Sequence, residues 1–170
     1  MARELCVLTP VLPDRREALA ATLAGLPDAE ASPLARVPGT HFARWVQAPS
    51  LRRRTDLGAG TACLVFAVEF DHRSAREYLE DVCRRLPDEA DLVWRNCAGY
   101  PSAVDHRFVS WLLEHRVEPG FSIVAFPSAT VAEVREALAL RERVATFALA
   151  AQGMPPERLR KAWREQVSPE

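Results

Sequence analysis

THFARWVQA, residues 40–48, and ACLVFAVEF, residues 62–70, decide the fold. Both carry the aromatic and β-branched residues that suit a pleated, half-buried strand. Only the loop PSLRRRTDLGAGT, residues 49–61, lies between them, punctuated by Pro49, Gly58 and Gly60. Two consecutive strands with no helix between them break the strand–helix alternation of a doubly wound α/β sheet. They point instead to an antiparallel sheet in an α+β domain.

Working outward, ELCVLTPV at 4–11 reads as a first strand. Pro13 and Asp14 open a helix, with Asp14 and Glu17 at capping-box spacing. Leu19, Leu23 and Leu26 follow at helical spacing, Gly25 and Pro27 end the helix, and residues 27–39 read as a loop. Beyond the strand pair, Ser74 and Glu77 form a second box ahead of a Tyr78, Leu79, Val82, Leu86 stripe, which Pro87 ends. A short amphipathic piece through Leu92, Val93 and Trp94 reaches CAGYP at 97–101. Ser102 and Asp105 begin the helix that holds Phe108 to Leu113, Pro119 and Gly120 break it, and FSIVAFP at 121–127 reads as a fourth strand. Thr130 and Glu133 open a long helix. Gly153, Pro155 and Pro156 then separate a final polar helix carrying Trp163. The order β-α-β-β-α-(α)-β-α-α begins as the ferredoxin-like βαββαβ unit. The expectation is an α+β domain over residues 1–152 with extra helices, followed by a C-terminal helical tail over 153–170.

Composition narrows the function classes. A chain of 170 residues can bury one real core, and its net charge of −1 makes no electrostatic case for nucleic acid or an anionic membrane. Arg52, Arg53 and Arg54 cluster in the strand-connecting loop, as a solvated loop or as a phosphate or carboxylate clamp. Lys161 is the only lysine, a codon bias that suggests a GC-rich bacterial genome. With no charged-then-apolar leader and no apolar run of about 18 residues, a cytoplasmic protein is expected. Cys6, Cys63, Cys83 and Cys97 include no CxxC pair, so no zinc or redox motif is expected; Cys6 and Cys63 in apolar strands and Cys83 on an apolar helix face are expected to be buried free thiols.

Strand side chains alternate between faces. Leu64, Phe66, Val68 and Phe70 form the apolar set that belongs beneath the helices, and Phe42 and Val46 are expected to join them with Arg44. That assignment leaves His41, Trp45 and Gln47 on the open face with Val65 and Glu69. His41 is then the candidate acid/base, since imidazole exchanges protons near neutral pH. Glu69 is its candidate partner. Trp45 and Tyr100 are candidate substrate walls, with His106 at a pocket mouth. Arg44 is either a structural ion pair or, if the strand faces are exchanged, a site residue. His106 and His115 stand nine apart on one expected helix and so cannot share a metal there. No GxSxG, P-loop, HExxH, EF-hand or GxGxxG motif is present.

A half-apolar open face asks for a ligand or a second copy. In this and in element order over about residues 3–150, the chain resembles the dimeric α+β barrel proteins. That superfamily includes cofactor-independent oxygenases, polyketide cyclases and haem-binding relatives of chlorite dismutase and dye-decolourising peroxidases. VPGTHFARWV at 37–46 and LVWRNCAGYP at 92–101 resemble segments of a bacterial and fungal group labelled peroxidase-like. The GxxDG signature of dye-decolourising peroxidases is absent. The resemblance implies a homodimer that binds an apolar or aromatic small molecule, as an oxygenase-, cyclase- or isomerase-like enzyme without a cofactor. The alternatives are a haem-binding peroxidase-like protein and a non-catalytic ligand sensor or accessory subunit.

Overall fold

A computed structural model of the chain describes residues 2–49, 60–118, 126 and 128–167. They form two compact units, Met1–Ser128 and Ala129–Glu170. The first unit is α+β, as its sequence pattern implies. Its strands are β1 (Arg3–Pro10), β2 (Thr40–Ala48), β3 (Cys63–Phe70) and β4 (Arg116–Val117), and its helices are α1 (Arg16–Gly25), α2 (Ala75–Arg85), α3 (Pro87–Trp94) and α4 (Phe108–Glu114). The second unit holds α5 (Val131–Ala150) and α6 (Pro156–Gln166). No helix among the described residues is long and apolar enough to cross a membrane.

The four strands make one antiparallel sheet in the order β2-β3-β1-β4. Nearly all of FSIVAFP lies outside the described residues, as do Arg52, Arg53 and Arg54. The strand that flanks β1 is the two-residue Arg116–Val117, which pairs with Val7 and Cys6. Its brevity hides it from any period-based reading. Two of the expected caps form. The Ser74 hydroxyl accepts the Glu77 N–H at the start of α2. Thr130 and Glu133 cap α5 reciprocally. The other two do not. Asp14 sits in a 3-10 turn ahead of α1, and Ser102 adopts φ 121° several residues before α4 begins.

The core lies between the sheet and α1–α4. Leu5 and Val7 of β1 and Leu64, Phe66, Val68 and Phe70 of β3 alternate inward and are buried. The Trp94 ring is fully buried and stands edge-on to Phe66 and Phe108, at 5.3 and 5.4 Å between centroids. Burial of a side chain of this size contributes roughly 2–3 kcal/mol.

The faces of β2 are the reverse of the expected ones. Thr40 is opposite Phe70 but Phe42 is opposite Glu69, so His41 is an extra residue, a β-bulge. Beyond the bulge Trp45 lies opposite Phe66 and packs on it, with centroids 5.7 Å apart, and on Trp94 at 5.5 Å. Ala43, Trp45 and Gln47 therefore face the helices. Phe42, Arg44 and Val46 face away and are exposed. The reverse assignment would place the Arg44 guanidinium beneath the helices, where a charge needs a partner, and the indole takes the inner side instead.

Candidate functional site at the outer sheet face

Alternation and register together define the outer face. Phe42, Glu69 and Glu4 form one row across β2, β3 and β1. Arg44, Ala67 and Cys6 form the next, and Val46, Val65 and Leu8 a third. Phe42 is 49% exposed and Val46 43%, while Leu8, Val65 and Ala67 are half-buried. The result is a largely apolar surface with one guanidinium and two carboxylates. The Arg44 guanidinium lies 5.6 Å from the Phe42 ring centroid, a cation–π contact. It forms no ion pair among the described residues. Its charge also reaches Cys6, whose thiol is pushed up by burial and pulled back by Arg44.

The bulge sits at one end of this face. His41 Nε2 and Asp71 Oδ1 are 2.6 Å apart, with both side chains still partly accessible at 21% and 17%. Asp71 directly follows the last residue of β3, so the pair sits at the Thr40–Phe70 end of β2 and β3. A carboxylate bonded to one imidazole nitrogen fixes the ring's tautomer and orientation. The other nitrogen is then set to take or give a proton. Gly39 positions the aspartate: its carbonyl accepts the Asp71 N–H at 2.9 Å, and its φ of +73° suits glycine. A Cβ at Gly39 would come within 3.2 Å of the Asp71 Cβ.

Beneath the dyad, the Thr40 hydroxyl donates to the Val37 carbonyl at 2.8 Å and lies 3.2 Å from the Tyr78 hydroxyl. Burial pushes the Tyr78 phenol up to about 12, with the Thr40 bond acting in the opposite direction. Tyr78 therefore stays protonated at neutral pH and is no base. His72 forms a second histidine–carboxylate pair, 3.0 Å from Asp81, with its ring edge-on to Phe70 and Tyr78. Burial pushes the His72 imidazole down, and Arg84 and Arg85 push the same way. Both arginines also engage Asp81, which weakens that carboxylate's hold on the ring.

Of the residues singled out from sequence, His41, Glu69 and Arg44 lie on or beside the outer face, and the other three do not. Glu69 is opposite Phe42 and Glu4 rather than beside the imidazole; the histidine's carboxylate is Asp71. Trp45 belongs to the core. Tyr100 packs edge-on to Phe108 and Trp111, and its hydroxyl donates to Asp91, which places it in the helical layer. His106 is 91% exposed, with Nδ1 3.4 Å from Asp105 Oδ1. Asp71 and Phe42 are the residues that sequence reasoning missed. The parity of Glu69 and Asp71 across the strand end is the one signal that could have suggested the aspartate.

Three open clefts of about 310, 360 and 280 Å³ lie elsewhere among the described residues, and no histidine lines any of them. The chain matches no family model, no curated protein and no solved structure.

Proposed function

We propose that the outer sheet face binds an apolar or aromatic small molecule and that His41, oriented by Asp71, is its general acid/base. The observation that carries this reading is the 2.6 Å His41–Asp71 contact at the rim of an exposed apolar face. Phe42, Val46 and Val65 would take the apolar body of the ligand, and Arg44 an electron-rich substituent. The all-antiparallel order β2-β3-β1-β4 agrees with a ferredoxin-like unit. In the dimeric α+β barrel arrangement a second copy's sheet covers this face and closes the pocket. The chemistry is proton transfer of the isomerase or cyclase kind, or a cofactor-independent oxygenation begun by deprotonating the substrate.

The exposed face equally suits a sensor or accessory subunit that binds and does not turn over. Native mass spectrometry of protein purified without added cofactor tests the binding. A homodimer with a bound small molecule, both lost in Val46→Glu, is the expected result. A monomer without adduct sinks the pocket. A Soret band in the same preparation would replace this reading by haem. Once a substrate is found, His41→Gln should lower kcat by about 10²–10⁴-fold. Undiminished turnover would leave a binding protein.

A further inference from the structure

The second unit has a site of its own. Phe147 of α5 is buried beneath Trp163 of α6, edge-on with centroids 5.3 Å apart, yet Trp163 is 41% and Leu159 36% exposed. With Arg160 and Arg164 these residues line a cleft of about 280 Å³. Leu159 and Trp163 are four apart on α6, and so are Arg160 and Arg164, so an apolar stripe and a guanidinium stripe run side by side along one helix. Lys161 is paired with Glu165 at 3.9 Å, whereas neither Arg160 nor Arg164 has an ion-pair partner among the described residues.

We infer that this cleft binds an aromatic carboxylate, its ring against Trp163, Leu159 and Phe147 and its charge on Arg160 and Arg164. Both halves of the site call for that chemistry. Hydrocarbon walls favour a flat apolar body that covers the exposed indole. Two unpaired guanidiniums at the rim favour a carboxylate, whose geometry matches their fork of donors. Among the described residues, no acidic side chain lines the cleft to compete for them. Its lining comes from α5 and α6 alone.

Isothermal titration of the full chain with 2-naphthoate tests this. Saturable binding is expected, weakened at least about ten-fold in Arg160→Gln/Arg164→Gln and, for wild type, with the neutral analogue 2-naphthalenemethanol. Trp163→Ala should abolish it. Both arginines are exposed, so the double variant keeps the fold, which circular dichroism verifies. Absence of saturable binding overturns the inference. So does equal affinity for the neutral analogue, or undiminished binding by the double variant. Binding lost in Phe42→Ala/Val46→Ala but not in the arginine variant would assign the ligand to the sheet face and overturn it as well.

Discussion

The inner face of β3 presents Leu64, Phe66, Val68 and Phe70, all buried, while its outer face presents Val65, Ala67 and Glu69, all half-buried. The same strand thus shows an interlocked core on one side and a half-buried, largely apolar surface on the other. Across on β2 the contrast sharpens: Trp45 is packed between Phe66 and Trp94, and Phe42, three residues away, is half exposed. Two aromatic residues on one strand therefore have different work. One holds the sheet to the helices, and the other is left half exposed. The difference comes from parity, and parity here is set by a single bulged residue, His41.

Core truncation is the harshest test of the contrast. Trp94→Ala should cost about 3–5 kcal/mol in urea unfolding, because it opens a cavity among three rings. Trp45→Ala should cost about 2–3 kcal/mol, since its indole is only partly enclosed, and Phe42→Ala under about 1 kcal/mol. A Phe42 variant less stable than the Trp45 variant would reverse the two faces of β2. Gly39→Ala probes the joint between them. Its positive φ and the close approach to Asp71 predict a loss of about 1–2 kcal/mol.

The smallest effect is one of pH. Burial holds the His72 imidazole below its ordinary 6.5, so around that pH the unfolded chain binds more protons than the folded one. Its contribution is complete above 6.5 and is lost as the pH falls toward the depressed folded value. His72→Gln should flatten the acid side of the stability profile. A variant profile as steep as the wild type below 6.5 would assign the acid sensitivity to other groups.

Much of the fold is legible in single residues. The strand pair without an intervening helix specified the α+β class, and the unbroken Leu64–Phe66–Val68–Phe70 alternation identified the inner face of β3. Ser74 and Thr130 marked the starts of α2 and α5, because a hydroxyl three residues before a glutamate satisfies local backbone donors whatever the rest of the chain does. The site was less legible. Both parity sets of β2 contain an aromatic side chain, Trp45 in one and Phe42 in the other, so alternation alone does not orient the strand. Asp71 joins His41 across 30 residues of sequence, a distance over which no local pattern reports.

What the sequence by itself determined is the first three strands, the α+β class and the capped starts of α2 and α5, because those follow from interactions within a few residues. Only the tertiary structure decided which side of β2 faces the helices, which carboxylate meets His41, and that Arg116–Val117 completes the sheet. Each of these depends on pairing and packing between distant segments. There one extra residue turns a strand over, and the set that carries the guanidinium is left outside.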